Sequence, residues 1–141
     1  MRRLVIAAAL AVLTAMPAAA DVRIVASSGG EVTEYLRLFD MVRQSGQRVV
    51  IDGPCFSACT LVLTTVPANR ICVTRKAVLG FHAARLVDDM GNEYAAPNAT
   101  RIVMGTYPPG VQNWIRRHGG LTSRPIFMRG KELAAIFPRC R

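Results

Sequence analysis

Histidine is scarce in this sequence. His82 and His118 are the only two, and neither stands near a cysteine pair with metal-ligand spacing, so a zinc site ranks well below other uses of the cysteines and no metal is assigned. No run of Lys and Arg is interleaved with aromatic residues. The 18 basic residues, against 9 acidic, are mostly Arg scattered along the chain, which reads as a solvated surface able to meet anionic material and excludes a nucleic-acid interface. Internal repeats and low-complexity tails are also missing. At 141 residues the chain has one domain's length. Beyond its first twenty residues it has no apolar stretch long enough to span a bilayer, so no integral membrane segment is expected there.

The N-terminus reads as an address. Arg2 and Arg3 give a positive start, residues 4–16 are apolar apart from one Thr, and Ala18, Ala19 and Ala20 form a small-residue cleavage pattern ahead of Asp21. Together these spell a secretory signal peptide over residues 1–20 and an exported mature domain over residues 21–141, located in a bacterial periplasm or secreted. Cleavage would take Arg2 and Arg3 away and lower the formal charge from +9 to +7. Cys55, Cys59, Cys72 and Cys140 all remain. An even number of cysteines in an oxidising compartment implies two disulfides, with three connectivities open.

Periodicity divides the mature chain into alternating strands and helices. Residues 22–26 read as a strand, broken by Ser27-Ser28-Gly29-Gly30. Val32, Tyr35, Leu36, Phe39 and Val42 form an apolar stripe at spacings of three and four, which predicts a helix over 31–42 that ends at Gly46. Ser28 or the glycines would cap it. Residues 47–51 carry a β-branched run and read as a buried strand, and Asp52-Gly53-Pro54 reads as a turn. A short helix is expected over 57–65, strands over 70–73 and 77–82, a loop over 86–99, a helix over 109–117 and a last short helix over 131–136. This alternation implies an α/β fold with mostly parallel pairing.

Three local features carry chemistry. Gly29 and Gly30, between a strand and a helix, expose main-chain N–H groups that can hold an oxyanion. Ser57 stands at a strand-to-helix turn in Gly53-Pro54-Cys55-Phe56-Ser57-Ala58-Cys59, where a hydroxyl projects from the carboxyl edge of a sheet and the Ala58 N–H points towards the same place. The G-x-S-x-G pattern is absent, and the plain alternative is that Ser57 caps its helix. His82 closes the apolar run Leu79-Gly80-Phe81, where it can reach that same edge as a base.

The run from Ser28-Gly29-Gly30 through Gly53–Cys59 to Gly80-Phe81-His82 resembles the proteolytic subunit of the Clp protease and its crotonase-like relatives. The resemblance covers residues 22–83 well and the remainder loosely. It rests on the order of the elements and on a serine-to-histidine separation of 25 residues, as in that family. It implies a Clp-protease/crotonase-like α/β fold, a mostly parallel sheet with flanking helices that is shortened at its N-terminus. It further implies Ser57 as nucleophile, His82 as general base and the N–H groups of Gly30 and Ala58 as the oxyanion hole. The activity implied is acyl transfer through a Ser57 ester on a peptide or small acyl substrate, with no cofactor.

The chain departs from the family in two places. Residues 123–127 hold no carboxylate where the family has its third catalytic residue, leaving Asp88, Asp89 and Glu93 as unranked partners for His82. The strand and helix that normally precede the Gly-Gly turn are missing, which implies an exposed core edge covered by a second copy of the chain or an envelope protein. The resemblance also sets the C-terminus beside the strand holding Cys72. That implies Cys72–Cys140 and, with it, Cys55–Cys59; the rival set is Cys59–Cys72 with Cys55–Cys140. A serine hydrolase is therefore expected. A non-catalytic binding or assembly module of the same fold is the alternative.

Overall fold

The structure, a computed structural model, describes residues 20–141. The expected signal peptide lies outside the described residues except for Ala20. Among the described residues, eight strands and five helices form a mixed α/β domain.

Val22–Ile24 is β1, Val49–Ile51 is β2 and Ile71–Val73 is β4; they pair in parallel in the order β1-β2-β4. Every residue of β2 and β4 is buried. These strands are covered on both faces, which is why they read as continuous β-branched runs rather than alternating ones. The C-terminal tail extends this sheet. Val73 pairs in parallel with Arg139, its N–H donates to the Pro138 carbonyl at 2.9 Å, and the Cys140 N–H donates to the Val73 carbonyl at 3.1 Å. Cys72 and Cys140 are joined by a disulfide across this contact. On the other side β1 is an edge, and Val25 just beyond it is exposed.

Pro54–Phe56 is β3, Val78–Phe81 is β5 and Ile126–Arg129 is β8. They form a second three-stranded sheet in which β3 runs parallel to β5 and β8 antiparallel to it. The expected single sheet is thus divided in two. Two expectations also need correction. Pro54, read as part of a turn, opens a strand. Residues 86–99, read as a loop, hold an antiparallel hairpin of β6 (Arg85–Val87) and β7 (Glu93–Ala95) followed by the start of α3 (Pro97–Thr106). Every residue of the hairpin strands is exposed, so no apolar alternation marks them. The turn is built by Asp88, whose carboxylate accepts from the Met90 and Asn92 N–H groups and from the Tyr94 hydroxyl.

The helices follow their periodicity. In α1 (Val32–Ser45) the stripe buries Phe39 and Val42, while Leu36 stays exposed. Glu31, rather than Ser28, is its N-cap residue, and its carboxylate accepts no capping hydrogen bond. Gly46 takes a left-handed φ of 74° at the far end, and Arg70 donates to the last-turn carbonyls of Val42 and Arg43. After β3 the chain makes a 3-10 turn over Ser57–Leu61 and one α turn, α2 (Val62–Thr65), then stops ahead of Pro67. Helix α4 (Pro109–Arg117) starts on a proline and buries Val111, Trp114 and Ile115. Helix α5 (Gly130–Ala134) is shorter than expected. Phe81, Trp114 and Tyr107 pack edge to face or tilted between α4 and β5 and fill the centre of the core. No helix among the described residues is long and apolar enough to cross a membrane.

Candidate active site

The second sheet brings Ser57 and His82 to one edge. Strands β3 and β5 are hydrogen-bonded parallel neighbours with Phe56 opposite Gly80. Ser57 follows Phe56 directly and His82 follows Gly80 by two residues, so both leave the sheet at the carboxyl edge of adjacent strands, which lie about 4.8 Å apart. Gly80 makes this register possible. A Cβ at that position would stand 2.6 Å from the Phe56 ring.

The two side chains line two hollows in common. One, of about 40 Å³, also involves Val32, Ala58, Thr60 and Tyr107. The other, of about 180 Å³, is bounded by Ser28, Phe56, Gly80, Pro125 and Phe127.

The Ser57 turn is strained. Its φ of 54° is the only positive value at a non-glycine among the described residues. A left-handed backbone at a residue with a Cβ costs about 1–2 kcal/mol and persists only where the surroundings dictate it. Two features do so. The first is the Cys55–Cys59 disulfide, with both cysteines fully buried, which closes the chain around the serine. The second is a buried relay. The Tyr107 hydroxyl lies 2.6 Å from Thr60 Oγ1, and Thr60 in turn donates to the Ser57 carbonyl at 2.7 Å. Since Thr60 spends its proton on that carbonyl, Tyr107 is the donor of the other bond. Burial pushes the Tyr107 phenol up to about 12, against the opposing effect of its bond to Thr60, so it remains a neutral donor.

Thr60 is the one fully buried polar residue among those described. Thr60→Val keeps the shape but leaves the buried Tyr107 phenol without its acceptor and takes one donor from the Ser57 carbonyl. It is expected to cost about 2 kcal/mol in urea unfolding, and Tyr107→Phe about 1 kcal/mol. In the double variant the loss should be less than the sum, because the Tyr107 donor is then gone as well. Strict additivity would show that the relay is not coupled.

The Ser57 hydroxyl makes no hydrogen bond to any described residue, and the N-cap of its 3-10 turn is Phe56, without a side-chain cap. The plain alternative, that Ser57 caps its own helix, is therefore not what the structure contains. The Ser27–Gly30 segment runs alongside, tied to β3 by bonds from the Ser27 N–H to the Pro54 carbonyl and from the Phe56 N–H to the Ser27 carbonyl. Gly29, with φ of 88°, makes the close approach: a Cβ on it would lie 2.6 Å from Ser57 Cβ and 3.0 Å from the Ala58 nitrogen. Ala58 lines the smaller hollow. Gly30 lines neither, although its neighbours Ser28 and Val32 do. The N–H groups of Gly30 and Ala58 have no acceptor among the described residues.

His82 Nδ1 lies 2.7 Å from the Ala83 carbonyl oxygen. A carbonyl only accepts, so the proton sits on Nδ1 and the neutral ring keeps its lone pair on Nε2. The Ala83 N–H donates to the Thr122 carbonyl and the Ala84 N–H to Thr100 Oγ1, which fixes the segment that carries this orienting carbonyl.

None of the three carboxylates considered for this task bonds to His82. Asp88 holds its hairpin turn and Glu93 pairs with Arg85. Asp89, like them, makes no bond to His82. A main-chain carbonyl leaves no trace in composition or spacing, so only coordinates reveal it. Among the described residues no cluster of three or more His, Cys, Asp or Glu could hold a metal ion. Set beside known protein families and curated proteins, the sequence matches none.

Proposed function

We propose that this protein is an exported, periplasmic or secreted serine hydrolase of Clp-protease/crotonase type. Ser57 is its nucleophile, His82 its base, and the main-chain N–H groups of Gly30 and Ala58 its oxyanion donors. The observation that carries this reading is the pairing of Phe56 with Gly80 on adjacent parallel strands, which delivers hydroxyl and imidazole to one edge. The strained φ at Ser57 supports it, because strain of this kind concentrates at reactive turns. The two disulfides agree with an oxidising compartment.

In the proposed reaction Ser57 Oγ attacks a substrate carbonyl and its proton passes to His82 Nε2. Charge on the former carbonyl oxygen is held by the two amides. His82 then returns the proton to the leaving alcohol or amine, and a Ser57 ester remains. Water repeats the sequence and frees the acid. The Ala83 carbonyl supplies the orienting function of an acidic third residue without its negative charge, so it steadies the tautomer but stabilises the imidazolium less. Serine and histidine share no hydrogen bond here; in unliganded sites such bonds are commonly long and tighten when substrate binds.

A fluorophosphonate probe tests the reading. The mature protein is expected to take up one probe per chain, Ser57→Ala none, and His82→Gln to label far more slowly. Folded wild-type protein that stays unlabelled would instead make this a binding module.

A further inference from the structure

The small hollow beside Ser57 shares Ala84, Thr100 and Leu121 with a larger one of about 520 Å³. Aliphatic groups dominate the larger wall: Ala83 and Ala84 follow His82, Ala95 ends the hairpin, Ala96 stands at the start of α3, and Met104 comes from α3. Its charged residues are Arg101 on α3 and Arg116 on α4. Both guanidiniums contact only neutral amide oxygens, Arg101 that of Asn98 at 3.2 Å and Arg116 those of Gln112 at 3.3 Å and Asn113 at 2.6 Å. Neither belongs to any ion pair among the described residues.

An apolar hollow edged by two cations without counter-ions has two requirements at once. A plain hydrocarbon would leave the guanidiniums unused, and a bare anion would leave the aliphatic wall wet. A hydrocarbon ending in a carboxylate satisfies both, since the planar guanidinium fork matches a carboxylate in geometry and charge. Resting on the hydrolase reading above, we propose that the acyl group processed at Ser57 is apolar along its length and carries a carboxylate at its far end, held between Arg101 and Arg116. The β6–β7 hairpin and α3 then form a substrate-binding unit, and the continuous wall from Ser57 through Ala84 is the track of the acyl chain.

Two measurements test this. The first compares kcat/KM for mono-p-nitrophenyl esters of glutaric, adipic and suberic acids with p-nitrophenyl esters of neutral acids of equal length. Wild type is expected to prefer a carboxylate ester at least ~10-fold, and the Arg101→Gln/Arg116→Gln variant to show a ratio near 1. The preference should shrink in 0.5 M NaCl, because the arginines are exposed and screened. The second is calorimetric titration of the Ser57→Ala protein with octanoate and octanamide; octanoate should bind at least ~10-fold tighter, and the arginine double variant should lose the difference. Arginine-dependent octanoate binding without ester hydrolysis would keep the pocket and overturn the hydrolase. Hydrolysis without a carboxylate preference would do the reverse. Equal binding of octanoate and octanamide would overturn the proposed acyl class.

Discussion

On the hydrolase mechanism proposed above, Ser57→Ala is expected to reduce ester hydrolysis by at least about 10³-fold, to the background left by the proposed oxyanion donors and binding alone. Ser57→Gly should abolish activity equally, yet the two variants should part in stability. Alanine keeps the Cβ that makes a φ of 54° unfavourable, so its melting temperature should stay near wild type. Glycine adopts this backbone freely. It should recover about 1 kcal/mol, a rise of roughly 4 °C for a domain of this size. A gain in stability bought with activity is what a strained nucleophile turn predicts. Scanning calorimetry beside p-nitrophenyl ester assays measures both. An active Ser57→Ala removes the nucleophile, and a destabilised Ser57→Gly removes the strain argument.

The second large effect concerns the C-terminus. Cys72 and Cys140 lie 68 residues apart in sequence, and their bridge fastens the tail onto β4. By loop entropy, opening a closure of that length costs about 4 kcal/mol, against about 2 kcal/mol for the four-residue separation of Cys55 and Cys59. Domains of this size hold only about 5–15 kcal/mol in all. Cys72→Ser/Cys140→Ser should therefore unfold at much lower urea with a somewhat larger m-value, because its unfolded chain is less restricted, and wild type reduced by dithiothreitol, which loses both bridges, should fall at least as far. A loss below about 1 kcal/mol would show that the main-chain bonds of Val73 to Pro138 and Cys140 hold the tail unaided. For Cys55→Ser/Cys59→Ser the activity loss should exceed the stability loss, since that bridge encloses Ser57.

Some of this was readable along the chain, and the reason is locality. Helices α1 and α4 show themselves because a stripe such as Val111, Trp114 and Ile115 repeats with the helical turn whatever surrounds it. Strands β2 and β4 show themselves because burial on both faces demands unbroken apolar residues. The alternation of these elements sufficed for a mixed α/β fold. His82 stood out because it ends such a run, and Ser57 because it opens the short helix expected after the β2 run and its turn. The cysteine count suggested two bridges but left the connectivity open.

Other features belong to pairing between distant segments. Pro54-Cys55-Phe56 has no strand pattern of its own and becomes β3 only through contact with Val78–Gly80. The exposed hairpin at residues 85–95 has no buried face to impose a period, and β8 is held by its antiparallel match to β5. The group that orients His82 is a main-chain oxygen, and every residue has one. The relay of Tyr107, Thr60 and Ser57 spans 50 residues. Composition and periodicity determined which segments must be buried, because burial selects side chains one residue at a time. Register, hydrogen-bond partners and the convergence of Ser57 with His82 were decided by the tertiary structure, because they depend on two or more segments meeting in space.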